Sequence, residues 1–483
     1  MVVNNYSKGK ITPNARGLVL SSAKFKVFYG TFVDTPQLGQ LRIRYKTAIG
    51  VDDEGSIVFI VDNCLDPLAE CSKYDGKLVM SNVQVVDVSD KNEFTTFFFP
   101  GFIDTHIHAS QYPNAGIFGN STLLSWLSTY TFPLEESLKD LNLAEIVYKK
   151  VVSRTLANGT TTAVYYTTID PSSTKMMAKV CSELGQRSLI GKVCMDINSP
   201  DFYKETTQQC LDSCLEVIDY ILNYLNDSKI LPVVTPRFAP TCSHELMHGL
   251  SDISKNFNNL HIQTHLSENT KEIQLVESLF PECNSYTDVY YKNGLLTDKT
   301  ILAHCIHLKP DEIELIKKQK SGISHCPISN SSLTSGECQV RMLLDKGVNI
   351  GLGTDVSGGF SSSILVTARQ AHLVSRHVAM KCSDIKKKEH SKLSVMDALY
   401  LGTQGGAQVL KMSDMIGSFA VGKKFDTQLI DLDTHGSNVD VFPWQIPTHS
   451  KFSMEDLVCK WFFNGDDRNT IKVWVDGIQI STK

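Results

Sequence analysis

The sequence lacks an excess of positive charge and any apolar run long enough to cross a membrane. Its 47 Lys and Arg residues stand against 52 Asp and Glu residues, for a formal net charge of −5. A protein that binds nucleic acid or an anionic membrane needs a concentrated basic face, so this balance argues against both classes. No apolar run reaches the roughly 18 residues of a membrane-spanning helix, and the first residues carry no apolar secretory core. We therefore expect a cytoplasmic protein without nucleic-acid or membrane partners.

Cysteine pairs of the C-x-x-C type are also missing, although the chain has 13 cysteines. An odd number of cysteines in a long chain without a secretory core is typical of reduced thiols rather than a disulfide framework. The zinc pattern of cytidine deaminases, H-x-E with P-C-x-x-C, is therefore absent. Neither a Walker A loop nor a G-x-S-x-G elbow occurs. What is present is 42% hydrophobic residues, enough for a globular core in a chain of 483 residues.

The sequence has β-rich ends around a middle in which two patterns alternate. Short alternating strands such as 23–29 and 55–61 fill the first part, and the stretch after Gly417 looks similar. In the middle, short apolar β-branched runs alternate with helix-like segments such as 207–225 and 363–380. The eight apolar runs are 97–108, 161–167, 189–195, 230–238, 261–266, 300–306, 322–327 and 348–354.

Eight β-runs that alternate with helices predict a TIM-like (β/α)8 barrel, an α/β fold. We expect the barrel over residues 96–414 and a small β-sandwich domain built from both ends of the chain, residues 1–95 and 415–483. A doubly wound open sheet is the alternative, because the sequence does not show whether the sheet closes. The count of eight favours the barrel.

Histidines and a carboxylate end three of the predicted strands. His106 and His108 lie two residues apart in the first run, so their side chains face the same way and can grip one ion together. His265 ends the fifth run, and Asp355 follows the eighth. The C-terminal strand ends of a barrel form its active face. Three imidazoles, one carboxylate and an open position are typical of a zinc site that holds a water.

Further polar residues lie at the same predicted face. Glu268 begins the loop after the fifth run, and His304 lies near the end of the sixth. We interpret His307, three residues further on, as a structural histidine. Cys305 and Cys326 are interpreted as small buried hydrophobic residues.

A competing metal motif, H-E-x-x-H, is formed by His244 and His248 with the glutamate between them. It is the helix motif of zinc peptidases, and Glu268 lies 20 residues after His248, where one peptidase class has its third ligand. Against this reading, an apolar stripe along 246–253 predicts that the helix packs on a barrel exterior. Glu268 also follows a predicted strand instead of lying on a helix. A zinc peptidase is therefore kept as the less favoured alternative.

In their order along the chain, these motifs resemble the amidohydrolase superfamily and, within it, the guanine deaminase family. The segments that carry the resemblance are 100–108, 111–116, 236–242, 264–269, 302–305, 326–330 and 353–359. The segment 417–426 resembles the superfamily's return into the β-domain. With both flanks included, the resemblance covers nearly the whole chain, and the set of motifs is far more specific than H-x-H alone.

The resemblance implies one zinc ion per chain, bound by His106, His108, His265 and Asp355. Two-metal members of the superfamily carry a carboxylated lysine at the end of strand four. Arg237 occupies that place here, so a single metal is expected.

The resemblance also implies a purine site formed by Gln111, Arg237 and Phe238, with His265 and His304 in contact with the substrate. Guanine offers O6 and N7 as acceptors, and the planar fork of an arginine can serve both. Phe238 can stack on the ring or wall it in. We therefore assign Arg237 to that edge of the purine.

By the same resemblance, Glu268 is the proton shuttle, Asp355 accepts a proton from the attacking water, and His304 orients or stabilises the reacting group. The implied reaction is the hydrolysis of guanine to xanthine and ammonia, in purine catabolism, by a cytoplasmic homodimer. Another barrel hydrolase that acts on a different aminated heterocycle or a cyclic amide stays open as an alternative. A non-catalytic scaffold of the same fold is disfavoured, because all four ligands and Glu268 are present. Trp126 and Phe132 are read either as part of a lid or as core residues.

Overall fold

The chain folds into two sheets surrounded by helices, seen in a computed structural model that describes residues 25–76, 78, 80–117, 123–449 and 451–482. The first residues, which carry no apolar secretory core, lie outside these ranges. The strands are β1 (Phe25–Gln37), β2 (Gln40–Val51), β3 (Ile57–Val61), β4 (Val83–Asp87), β5 (Thr96–Pro100), β6 (Phe102–His108), β7 (Thr160–Tyr166), β8 (Arg187–Gly191), β9 (Val193–Cys194), β10 (Ile230–Pro236), β11 (His261–Leu266), β12 (Thr300–His304), β13 (Gly322–His325), β14 (Asn349–Leu352), β15 (Thr427–Asp431), β16 (Thr470–Val475) and β17 (Ile478–Thr482).

Helices lie in many of the connections between the strands of both sheets. They are α1 (Pro67–Tyr74), α2 (Leu123–Trp126), α3 (Phe132–Ser137), α4 (Leu141–Ala157), α5 (Pro171–Leu184), α6 (Thr207–Asp219), α7 (His244–Asn256), α8 (Thr270–Leu279), α9 (Tyr286–Lys292), α10 (Pro310–Gln319), α11 (Pro327–Ser332), α12 (Val340–Asp345), α13 (Ile364–Met380), α14 (Ile385–His390), α15 (Val395–Tyr400), α16 (Gly406–Val409) and α17 (Met454–Asn464). None of the described helices is both long enough and apolar enough to span a bilayer.

The second sheet is the predicted parallel barrel. Its strands pair in the order β6, β7, β8, β10, β11, β12, β13 and β14, every pairing is parallel, and β9 adds to β10. A doubly wound sheet reverses its strand order at a switch point, and this sheet does not, so the open-sheet alternative is wrong. The first and last strands meet where the Asp355 N–H donates to the His106 carbonyl at 2.9 Å. Each of the eight predicted runs contains one barrel strand, although the first run, 97–108, also includes β5, which belongs to the other sheet.

The first sheet takes strands from both ends of the chain, as expected. Its order is β17, β16, β15, β5, β1, β2 and β3, with β4 paired to β1. The centre is aromatic: Phe28 stacks on Phe425 with ring centroids 4.0 Å apart, and Trp474 meets Phe28 edge-on at 5.5 Å. Strand β5 leads directly into β6 through Gly101, so this sheet holds the start of the first barrel strand in place.

Local sequence signals account for where several helices begin. The predicted helix 207–225 is observed as α6, which begins after a capping box formed by Thr206 and Gln209 and continues into a π-helical turn, Tyr220–Leu225. The predicted helix 363–380 is α13, which Ser363 caps. Both helices bury one face against the barrel and leave its strand ends open at one rim.

Candidate active site

Three histidines and one aspartate meet at the C-terminal rim of the barrel. One possible ligand atom from each of His106, His108, His265 and Asp355 lies within 4.8 Å of all the others. The His106 Nε2–Asp355 Oδ1 and His108 Nε2–Asp355 Oδ1 distances are 3.1 and 3.3 Å, and His108 Nε2 lies 3.2 Å from His265 Nε2. A tetrahedral ion with bonds of about 2.0–2.1 Å separates its ligand atoms by about 3.3 Å. The donor set therefore fits a bound divalent cation.

The titration of these groups agrees with that fit. Burial lowers the pKa of His106 to about 4, and burial together with the neighbouring imidazoles lowers the pKa of His265 well below its ordinary value. Burial alone would raise the pKa of Asp355, but hydrogen bonds with His106 and His108 hold it well below the ordinary range. Neutral imidazoles beside an ionised carboxylate are the protonation states that a metal requires.

Backbone groups fix the orientation of the cluster. The Arg237 carbonyl accepts a hydrogen bond from His265 Nδ1 at 2.6 Å, which leaves Nε2 of that ring free as a ligand. The buried Asp104 carboxylate accepts from the backbone N–H of His106 at 3.2 Å and of Thr354 at 3.0 Å. Asp104 therefore ties the first barrel strand to the loop that carries Asp355.

A second acid–imidazole pair lies beside the cluster. His304 Nε2 is 3.5 Å from Glu268 Oε2 and 3.8 Å from Asp355 Oδ2. Asn330 Oδ1 lies 2.8 Å from His304 Nδ1, and Ser335 donates to Glu268 Oε1 at 3.2 Å. Burial raises the pKa of Glu268 to about 7, while the carboxylates of Glu268 and Asp355 raise the pKa of His304 against the effect of its burial. A carboxyl with a pKa near neutrality can both donate and accept a proton.

One cleft connects these groups with the predicted substrate residues. It encloses ≈ 420 Å³ of space between the side chains, part of it open to solvent. The residues that line it are His108, Gln111, Trp126, Leu127, Arg237, Phe238, His265, Glu268, Glu272, His304, Leu333 and Asp355. With His106 behind the cleft, the structure brings all nine predicted site residues to one place.

Arg237 is held by a partner that the sequence did not reveal. Its Nη1 and Nη2 donate to the two carboxylate oxygens of Glu135 at 2.7 and 3.3 Å. The side chain of Gln111 also donates to Glu135, at 3.0 Å. Phe132, which was expected either in a lid or in the core, lies beneath the Arg237 guanidinium. The centroid of the Phe132 ring is 5.1 Å from Arg237 Cζ.

The residues of the H-E-x-x-H motif lie elsewhere. His244 is half-exposed at the start of α7, with its Nε2 2.9 Å from Glu282 and its Nδ1 2.9 Å from Asn293. Among the described residues, the group at the barrel rim is the one set of three or more side chains able to hold a metal. His244, His248 and Glu268 do not come together, so the peptidase alternative is wrong.

Two smaller interpretations are confirmed. His307 is a structural histidine, with its Nε2 2.8 Å from the Ser335 carbonyl. Cys305 and Cys326 are buried. Asp104, Glu135 and Asn330 had no role assigned from the sequence, although Asp104 and Asn330 lie in the segments 100–108 and 326–330 that carry the resemblance.

Comparison with known proteins agrees with this geometry. The model of the Amidohydrolase family matches residues 97–480. The chain is 46% identical over 465 residues to a probable guanine deaminase of Schizosaccharomyces pombe, covering 94% of this chain and 83% of the relative. It is 39% identical to the guanine deaminase of Homo sapiens, covering 94% and 96% of the two chains.

Solved structures give the same picture. A guanine deaminase from C. acetobutylicum with guanine bound in its active site aligns with a TM-score of 0.82 at 33% identity, covering 95% of this chain and 100% of that one. The E. coli guanine deaminase aligns with a TM-score of 0.81 at 30% identity, covering 95% and 100%.

Proposed function

The chain belongs to the amidohydrolase family, and from that premise we propose that it hydrolyses guanine to xanthine and ammonia with one bound zinc ion. The observation that carries the proposal is a single cleft with a metal-binding cluster at one end and Arg237 and Gln111 at the other. The guanine deaminases to which the chain is similar support the choice of substrate.

His106, His108, His265 and Asp355 would hold the zinc. Bound there, zinc supplies a Lewis acid that lowers the pKa of a bound water to about 7. Asp355, ionised and next to the cluster, accepts a proton from the attacking water. His304 lies within 3.8 Å of Asp355 and orients the incoming oxygen.

Arg237 and Phe238 bind the substrate in the same cleft. The Arg237 guanidinium keeps N–H donors beyond the two bonds made to Glu135, and guanine offers O6 and N7 as acceptors. Phe238 packs in the same aromatic cluster as Trp126 and gives the flat ring an apolar wall. With O6 and N7 bound by Arg237, C2 and its amino group would lie toward Glu268 and the metal cluster.

Glu268 performs the proton transfers on the substrate. It protonates ring N3 as water adds to C2, and then delivers to the amino group the proton that Asp355 took from the water, so that ammonia leaves. The C2 hydroxyl returns a proton to Glu268 as the xanthine carbonyl forms. A pKa near 7 matches both steps, since the group must give and take a proton at neutral pH. Guanine and water are consumed, and xanthine and ammonia are formed in equal amounts.

The proposal extends to the setting of the enzyme. We place it in purine catabolism in the cytoplasm, with a barrel domain of residues 96–414, a β-domain of residues 1–95 and 415–483, and a homodimeric assembly. Light scattering on the purified chain tests the assembly: twice the 53.7 kDa chain mass supports a dimer, and the single mass contradicts it.

The test of activity is a product assay with three bases. Guanine should give xanthine and ammonia, while adenine and cytosine should give neither. Turnover of adenine or cytosine at the rate of guanine would instead support the alternative of a hydrolase for another aminated heterocycle.

A further inference from the structure

Helix α3 delivers two side chains to one arginine of the cleft. Phe132 and Glu135 are three residues apart and therefore lie on the same face of the helix. The ring of Phe132 lies under the Arg237 guanidinium, and the Glu135 carboxylate meets its end with two hydrogen bonds. The position of Arg237 is thus set from two directions by a single short helix.

The Glu135 carboxylate is fully buried and has no free acceptor position toward the cleft. Its Oε1 accepts from Gln111 at 3.0 Å and from Arg237 at 3.3 Å, with Ser110 at 3.5 Å. Its Oε2 accepts from Arg237 at 2.7 Å and from Tyr203 at 2.8 Å. Because the Gln111 amide nitrogen is held by Glu135, its oxygen faces the backbone N–H of Ser357, 3.4 Å away.

Charge balance gives this arrangement a consequence for ligand choice. Arg237 is 2% exposed, and a buried guanidinium without a counter-ion is costly. Guanine is neutral and cannot supply that counter-ion, whereas Glu135 does. The Arg237–Glu135 pair therefore leaves this end of the cleft with donors for hydrogen bonds but no net charge.

We propose that Glu135 is a specificity-determining positioning residue. It orients the N–H donors of Arg237 and Gln111, and it keeps the part of the cleft that these two residues line, here called the purine end, without net charge. This inference rests on the proposed function. Without the Glu135 charge, Arg237 would favour an anionic ligand over a neutral one. Xanthine is the relevant anion, because its second carbonyl makes the ring N–H groups more acidic than those of guanine.

The experiment compares Glu135→Gln, Glu135→Asp and Tyr203→Phe with the wild type, all zinc-loaded. KM and kcat for guanine are measured, together with the inhibition constant of xanthine above and below the pH at which xanthine ionises. Zinc content and thermal melting are recorded for each. The matched control is Glu136→Gln, the same change one residue along α3, where the side chain is half-buried and pairs with surface Lys139 at 2.6 Å.

For Glu135→Gln we expect KM for guanine to rise roughly 30-fold or more, with a smaller change in kcat, because the partner of a buried charge has been removed. Inhibition by ionised xanthine should tighten about 10-fold, since Arg237 then attracts the anion. Glu135→Asp keeps the charge and should restore the preference for guanine. Tyr203→Phe removes one donor to Glu135, together with the acceptor of the Ile169 N–H, and should raise KM by roughly 3-fold. Glu136→Gln should match the wild type.

Unchanged KM and unchanged xanthine inhibition in Glu135→Gln would overturn the proposal, as would equal shifts in Glu136→Gln. If Glu135→Gln does not fold, Tyr203→Phe decides: a KM raised roughly 3-fold at full zinc content supports the proposal, and a wild-type KM contradicts it. A wild type that forms no xanthine at all instead refutes the proposed function, which separates the two failures.

Discussion

The two groups of side chains in the cleft are positioned in different ways: the metal ligands, here called the metal end, and Arg237 with Gln111 at the purine end. At the metal end, the ligands lie on the barrel strands β6 and β11 or in the loop after β14, and the Arg237 carbonyl that follows β10 orients His265. At the purine end, Arg237 and Gln111 depend on Glu135, which comes from helix α3 in the connection after the first strand. On the proposed function, the barrel strands carry the metal ligands, whereas a connection between strands controls substrate choice.

The largest effect should come from breaking the metal end. His106→Ala removes a buried ligand, so zinc should fall below about 0.1 ion per chain and turnover should drop at least roughly 10⁴-fold. Elemental analysis and the xanthine assay measure the two quantities. The control is His244→Ala in the H-E-x-x-H motif, which should keep its zinc; zinc lost there instead of in His106→Ala would contradict the assignment.

Glu268→Gln should separate proton transfer from metal binding. The carboxyl is removed but the metal ligands stay, so we expect full zinc content and a kcat lowered roughly 10³-fold. Stopped assays of xanthine formation with parallel metal analysis give both values. Glu245→Gln, an exposed glutamate of α7, is the matched control and should behave as wild type. Turnover of Glu268→Gln within tenfold of wild type would remove this residue from the proton relay.

Arg237→Lys should weaken guanine binding without lowering the zinc content. Lysine keeps the charge but loses the planar fork that serves both Glu135 and the purine. KM for guanine should rise roughly 100-fold at unchanged zinc content. Arg154→Lys, at a surface ion pair with Asp467, is the control. An unchanged kcat/KM in Arg237→Lys would refute the assignment of Arg237 to the purine edge.

The smallest effect is expected between the two ends, at Asn330. Its oxygen faces His304 Nδ1, so Asn330→Ala should let the imidazole turn and lower kcat about 10-fold, with KM and zinc content preserved. Steady-state kinetics measure this split, and Asn142→Ala on the exposed face of α4 is the control. A rise in KM without a fall in kcat would place Asn330 with the substrate instead of with His304.

What could be predicted from the sequence follows the same division. His106 and His108 could be identified from the sequence because residues two positions apart in a strand face the same side. The barrel also brings the ends of distant strands to one rim, so His265 and Asp355 could be added without knowing any side-chain contact. The four residues of the metal-binding cluster could therefore be predicted, whereas the role of Asp104 could not.

The purine end was predicted only in part, for a physical reason. Glu135 lies 102 residues before Arg237, and nothing local in its segment marks it as a partner. Its contact with Arg237 is a salt bridge that is buried within the cleft, where no surface pattern could indicate it. The contact between Phe132 and the Arg237 guanidinium likewise depends on where helix α3 passes, which the sequence does not show.

The most direct test of the account is a product balance on the purified, zinc-loaded chain. Guanine consumed, xanthine formed and ammonia released are counted in one reaction and repeated after removal of the metal. The account predicts equal amounts of all three, abolished without metal and restored by adding zinc. Fully zinc-loaded protein that leaves guanine unchanged, or that forms xanthine equally well without metal, would contradict it.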